Sequence, residues 1–362
     1  IAFSDDGNYA YYAAEWSGIY IHNISEHRNS GEVNENEEIV RYDTRDARSV
    51  AFSNDYLYVA DGQAGLLVFN VSYDVLRKYN DPLYVMDIDF NHYTEKSTWN
   101  GYGYAYDVTI SGDYVYYADG YGGLRILDIS NQVPDYAGGY PRDPAFMSSN
   151  ESLDILYKNL DTWNCLSVSV SGNYAYVIAE TRSSDSFDSG NWVFNYTLLV
   201  LDVQTPSNVT LVTTKELNIT NGYSPYYPRI TVWDEIAYIA SGGDGLLLLD
   251  LHAPSWTGEE IQTISHNLIK TEANGAESDV FAWAHIYDLV ISGNHLYLAT
   301  QGGLSEGSVQ IVNISKMPTG IFHSNVSYYA PNINCIAISK DLIFIGYDGG
   351  ALETYGPDND ID

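Results

Sequence analysis

Positive charge is what this chain of 362 residues has least of: 16 Lys and Arg stand against 48 Asp and Glu, a formal net charge of -32. A surface of that sign repels nucleic-acid phosphates and anionic lipid and attracts cations. No apolar run approaches the roughly 18 residues of a membrane-spanning helix. The two cysteines, Cys165 and Cys335, show no zinc or redox spacing and read as small core residues, too far apart in a ring of repeats for a disulfide. H-E-x-x-H, G-x-S-x-G and P-loop motifs are missing, and the eight histidines are scattered without metal-ligand spacing. Helix signals are poor. The first residue is Ile rather than Met, which reads as a processed or trimmed chain whose targeting segment has been removed.

What the chain has in excess is tyrosine, 34 residues, a residue that favours strands and half-wet surfaces. It recurs within a pattern that returns seven times. An apolar strand A leads through a tight polar turn to a Tyr-rich strand B. A Gly turn then leads to an almost wholly apolar strand C that ends near Asp/Asn-x-Ser. The clearest copy is DVTISGDYVYYADGYGGLRILDIS, from Asp107 to Ser130. The equivalent strand A positions are Ile1, Val50, Val108, Val168, Ile230, Leu289 and Ile336. A unit of three or four strands repeated at this period predicts an all-β fold. The expected architecture is a single seven-bladed β-propeller of three- to four-stranded antiparallel blades, with loop insertions between blades, over residues 1–356. An acidic tail, residues 357–362, follows.

The A/B turns, such as Gly112-Asp113 and Gly172-Asn173, carry hairpin chemistry. The Asp-Gly-x-x-Gly turn between strands B and C demands positive φ. Asp61, Asp119 and Asp348 recur at that turn and read as structural. Outer D strands are expected at Glu37–Thr44 and Val209–Leu217, a helical turn within Phe146–Leu160, a short helix over Glu259–Lys270 and a loop over Ser183–Gly190. The pattern supplies seven A-B-C sets but six D strands. Blade seven is therefore expected to lack an outer strand within this sequence, and its edge near Ala351–Tyr355 invites pairing with an upstream segment or a neighbouring subunit.

Val108, Ser111-Gly112, Tyr114, Tyr116-Tyr117-Ala118-Asp119, Gly123-Leu124-Arg125 and Leu127-Asp128-Ile129-Ser130 together resemble the LVIVD-repeat β-propeller family. Copies two, three and five match through all three strands; the others match through A and B. The resemblance implies the fold and a surface or secreted protein of bacteria or archaea. It brings no catalytic residues to carry over.

Candidate sites come from residues that break the repeat. The connections into strand A are rich in aromatics: Tyr102, Tyr104, Tyr106, Trp163, Tyr226, Tyr227, Trp283, His285, Tyr287 and Tyr328. Such rings suit sugars or protein partners; the plainer alternative is that they pack insertions onto the rim. Asp107, Arg229 and Asp288, with Arg48 one step earlier in its repeat, mark the expected channel mouth, as a polar ligand site or as a salt-bridged plug. Sequons stand at Asn23, Asn70, Asn150, Asn195, Asn208, Asn218, Asn313 and Asn325. Of these, Asn23, Asn70 and Asn313 share a turn position where other copies carry Asp, which inherited turn chemistry explains, whereas Asn195, Asn208 and Asn218 lie in or beside an insertion and are expected to carry glycans on at least two of the three. The tail residues Asp358, Asp360 and Asp362 are weak calcium candidates; the alternative is a solvated tail.

These features predict a non-catalytic extracellular structural or interaction protein: a cell-surface layer, sheath, adhesin or filament component. No cofactor is expected beyond possible calcium and covalent N-glycans. Expected partners are other surface proteins, copies of itself or glycans, not nucleic acid. An exported propeller that binds a glycan or small ligand through the aromatic face is the alternative, and a propeller enzyme a third reading.

Overall fold

Strand C explains the architecture. LLVFN (Leu66–Asn70) and the preceding YLYVA (Tyr56–Ala60) are buried at every residue, so both sheet faces must be covered. The computed structural model describes residues 1–25, 40–72, 76, 83–87, 103–130, 163–182, 194–217, 219, 227–242, 244–251, 262–266, 270–273, 276–278, 285–301, 307–315, 323–329, 333–339, 342–347 and 352–355. Nearly all of these lie in antiparallel strands or the tight turns joining them.

The chain divides into two compact units, residues 1–30, 34–179 and 201–210, and residues 31–33, 180–200 and 211–362. In the first unit, β1 (Ala2–Phe3), β2 (Tyr9–Ala13), β3 (Ile19–Asn23) and β4 (Val40–Tyr42) form one meander, and β5 (Ser49–Ser53), β6 (Tyr56–Ala60), β7 (Leu66–Asn70) and β8 (Leu83–Asp87) a second. β9 (Gly103–Ser111), β10 (Tyr114–Gly120) and β11 (Leu124–Asp128) make the third. A fourth set, β12 (Asn164–Ser171), β13 (Tyr174–Arg182), β14 (Phe194–Asp202) and β15 (Thr210–Leu217), is shared between the units.

The second unit holds β16 (Arg229–Trp233), β17 (Ile236–Ala240), β18 (Leu246–Asp250) and β19 (Gln262–His266). It also holds β22 (His285–Ser292), β23 (His295–Gln301), β24 (Gly307–Asn313) and β25 (His323–Tyr329). To β25 a hairpin of β20 (Lys270–Ala273) and β21 (Ala276–Ser278) adds in parallel. The final set is β26 (Ile333–Ser339), β27 (Leu342–Tyr347) and β28 (Leu352–Tyr355), three strands among the described residues.

Within each unit the period-2 alternation of strand B splits the core between neighbouring sheets. Leu57 and Val59 pack with Tyr11, Ile19 and Ile21 of the first meander, while Tyr58 and Ala60 pack with Ala105, Val108 and Tyr117 of the third. In the second unit Leu296 and Leu298 face Tyr238 and Leu248, and Ala299 faces Ile333 and Ile336. Sheets are thus stacked face to face, with apolar layers between them.

Two repeating backbone devices fix the meanders. At the B/C turn, Gly62 and Ala105 exchange hydrogen bonds of 3.1 and 2.9 Å, and Gly242 and Ile286 do the same at 3.1 Å. Each pair stitches one repeat to the strand A region of the next. Gly62 (φ 53°) and Gly242 (φ 60°) are left-handed there, which accounts for the Gly of this turn. At the strand C exit, the residue after Asp/Asn donates to the A/B hairpin: Ile24 N to Asn8 O at 2.7 Å, Val71 N to Asp55 O at 2.8 Å and Ile314 N to Asn294 O at 2.8 Å.

Two expectations need correction. The helix expected over Glu259–Lys270 is contradicted by the described residues of that segment: Gln262–His266 is β19, paired to the outer edge of β18. Pairing wins because that edge would otherwise carry unpaired N–H and C=O groups. Strand A begins earlier than expected in several sets, at Gly103 rather than Val108 and at His285 rather than Leu289. β-Bulges at Ala118/Gly120 and Ile286/Asp288 absorb an extra residue and let pairing continue into the aromatic stretch. The β20–β21 hairpin was not anticipated at all. Residues 40–42 and 210–217 do form outer strands, while Phe146–Leu160 and Ser183–Gly190 lie outside the described residues.

Candidate functional site

The residues entering strand A form a polar girdle in the first unit. Arg48 lies just before β5. Its Nε is 2.8 Å from Asp46 Oδ1, its Nη2 donates to Asp46 Oδ2 at 3.0 Å, and its Nη1 is 3.3 Å from Glu15 Oε1. The guanidinium also sits 5.9 Å from the Tyr104 ring centroid, and the Tyr104 hydroxyl donates to Asp46 Oδ2. Burial is the largest influence on Arg48 and opposes its charge, but the hydrogen bond it donates to Asp46 and the fields of Tyr104, Asp46 and Glu15 together outweigh burial and raise its pKa. Burial, then the hydrogen bond to Asp46, raises that of Tyr104. Both shifts favour a guanidinium beside a neutral phenol. Glu15 holds φ 48° at the turn position taken by Gly62 and Gly242.

Asp107, in β9, ties three repeats together. Its Oδ1 accepts from Ser49 Oγ at 2.8 Å and Val108 N at 3.0 Å. Its Oδ2 accepts from Ser167 Oγ at 2.7 Å and Val168 N at 3.0 Å. In the second unit, Asp288 Oδ2 accepts from Ile336 N at 3.0 Å. Burial raises the Asp288 pKa, opposed by the field of Arg229. The sequence thus placed Asp107, Arg229 and Asp288 at equivalent positions, and the structure gives both aspartates the same work: each anchors the strand A of the next repeat.

Asp61 closes its turn by accepting from Arg45 N at 3.0 Å and Asp46 N at 2.8 Å. Asp119 instead pairs with Arg125 Nε at 2.7 Å, both side chains almost wholly buried. Asp61 and Asp119 are thus both engaged within their own repeats, while Asp348 lies outside the described residues. The Asp119–Arg125 pair went unread, although a charge inside the otherwise apolar run LRILDI was its signal. Glu15 and Asp46 were missed because nothing local shows that they converge on Arg48.

The aromatic candidates separate. Tyr104 and Tyr106 are half-buried neighbours on β9, ring centroids 4.5 Å apart, with the Tyr104 hydroxyl held in the girdle. His285 and Tyr287 stack at 6.2 Å on β22. Trp163 and Tyr227 are half-buried at the entries to β12 and β16. Tyr102, Tyr226 and Trp283 fall outside the described residues, and Tyr328 lies on β25 with its side chain undescribed. The most exposed large apolar side chain among the described residues is one the sequence reading passed over, Trp16, 76% exposed beside Glu15.

Among the described residues no group of three or more His, Cys, Asp or Glu side chains is placed to hold a metal ion; Asp358, Asp360 and Asp362 lie beyond them. Cys165 and Cys335 are free thiols. Burial pushes the Cys335 thiol up to about 11 and raises Cys165 as well, which favours the protonated thiol in both. No described helix is long and apolar enough to cross a membrane.

Stacked antiparallel meanders of one repeating sequence unit define a repeat protein of the β-propeller kind. Solved structures agree. The β-propeller domain of Cps50 (Swd1) from Myceliophteria thermophila is 12% identical, with a TM-score of 0.53 over 98% of this chain and 94% of that one. The WD40 propeller domain of Doa1 is also 12% identical, with a TM-score of 0.52 over 99% and 92%. At such identity the likeness concerns the fold alone. Among curated proteins no sequence matches. The LVIVD repeat family model matches residues 44–73, 102–133 and 164–181, and the chain carries LVIVD repeats.

Proposed function

We propose that this chain is an exported, non-catalytic structural or interaction protein whose seven meanders close as one seven-bladed propeller. The observation that carries the reading is the use made of its axial polar residues. Asp107 engages Ser49, Val108, Ser167 and Val168, and Arg48 engages Glu15 and Asp46. Side chains that a catalytic reading would claim are occupied in holding repeats together. The acidic surface and the exposed Asn195 and Asn208 sequons support an extracellular setting. The ligand-binding alternative rests on Tyr106, His285 and Tyr287, which are half-buried, and on Trp16.

The test is to recover the protein from its native cells and image it. A seven-bladed ring in a surface layer, sheath or filament, recovered with the envelope or medium, is the expected result. Recovery from the cell interior, or a ring of six or eight blades, overturns the proposal.

A further inference from the structure

The chain's sequons are not equivalent once folded. At Asn23, the side-chain Oδ1 accepts from Ser25 N at 3.0 Å and Ser25 Oγ at 2.6 Å. Asn313 repeats the arrangement with Ser315, at 2.9 and 2.6 Å. The middle residue of each, Ile24 and Ile314, is buried and its N–H is given to the A/B hairpin. The fold therefore pins the carbonyl side of the amide inward on its own turn and leaves both asparagines exposed. Asn70 occupies the same repeat position and likewise accepts from Ser72 N, at 3.0 Å, but it is only 7% exposed. A glycan on Asn70 has to displace the packing around β7. Asn208 is exposed in the turn leaving β14, where its N–H donates to Thr205 O at 2.8 Å.

We infer that Asn23, Asn208 and Asn313 are N-glycosylated and that Asn70 is not. The inference rests on the exported reading above. A lipid-linked activated sugar is the donor. Its anomeric carbon forms a bond to Asn Nδ2, the bond from that carbon to the phosphate oxygen breaks, the lipid phosphate or pyrophosphate leaves, and one Nδ2 proton is lost. The hydrogen bonds at Oδ1 survive, because the carbonyl oxygen takes no part in the new bond. Asn23 and Asn313 end strand C, so their glycans lie beside the A/B hairpins of their own repeats, to which Ile24 and Ile314 are tied.

The test is peptide mass spectrometry and intact mass on native protein, with cell fractionation alongside. Glycopeptides covering Asn23, Asn208 and Asn313, and an unmodified Asn70 peptide, are expected. N23D and N313D should each remove one glycan mass and keep the fold, because Asp128 and Asp202 make the same turn with Ser130 N and Gln204 N at 2.8 and 2.9 Å. T210A removes the Asn208 glycan without touching the asparagine. A glycan on Asn70, or unmodified Asn23, Asn208 and Asn313 in protein recovered from outside the cell, overturns the assignment and leaves the exported reading standing. Unmodified protein recovered inside the cell overturns both.

Discussion

At the residue scale, Asp107 accepts four hydrogen bonds, from Ser49, Val108, Ser167 and Val168. Its replacement by Ala strands two hydroxyls and two backbone N–H groups in a nearly dry setting. Stranding a buried polar group costs about 1–3 kcal/mol, so D107A should lower stability by about 3 kcal/mol or more. Urea unfolding checks it, and a change within about 0.5 kcal/mol, the range of ordinary surface substitutions, would refute the assignment.

Titration offers a second residue-scale test. Burial raises the Asp61 pKa above 3.8, against opposing hydrogen bonds from Thr44, Asp46 and Arg45, and Asp288 is raised in the same sense. A carboxyl raised on folding favours the neutral form. Its contribution to stability is complete below 3.8 and is lost as pH rises through the raised value. Carboxyl carbon resonances of both residues should therefore titrate above the ordinary aspartate value. Titration below it in either residue would contradict the burial described.

At the element scale, the two turn types place different demands on glycine. Gly112, at an A/B hairpin, has φ 58° and nothing within 4 Å of an added Cβ. Gly62, at a B/C turn, has φ 53°, and a Cβ there meets Asp46 Oδ2 at 2.8 Å and Tyr104 Cζ at 3.0 Å. G112A should cost only the left-handed strain, about 1 kcal/mol. G62A adds overpacking of about 1–3 kcal/mol and disturbs the stitch to Ala105. Equal losses of thermal stability in the two variants would argue against the girdle. Legibility followed the same division. The A/B hairpins, the B/C turns and the Asp/Asn-x-Ser exits were readable because each depends on a few adjacent residues. Gln262–His266 was misread as part of a helix because its strand character comes from the β18 edge.

At the scale of the whole molecule, charge dominates. A net charge of -32 works against compaction through self-repulsion. Raising ionic strength from about 0.01 to 0.15 M shortens the screening length from about 30 to 8 Å. The thermal midpoint should therefore climb over that range, in sodium chloride as in other simple salts. A midpoint that falls with added salt would show that specific ion pairs, such as Arg48–Asp46, outweigh the collective repulsion.

The sequence by itself determined the repeat, its strands, its turns and the alternation that buries both faces of strands B and C. These follow from backbone sterics and side-chain period, which act over a few residues. Only the tertiary structure decided what the charged residues do. Asp107 meets Ser49 and Ser167 at separations of 58 and 60 residues, about one repeat in each direction, and Arg48 meets Tyr104 at 56. Those contacts exist because neighbouring sheets stack and bring equivalent positions side by side. The same stacking separates a buried Asn70 from an exposed Asn23 with the same local sequence pattern.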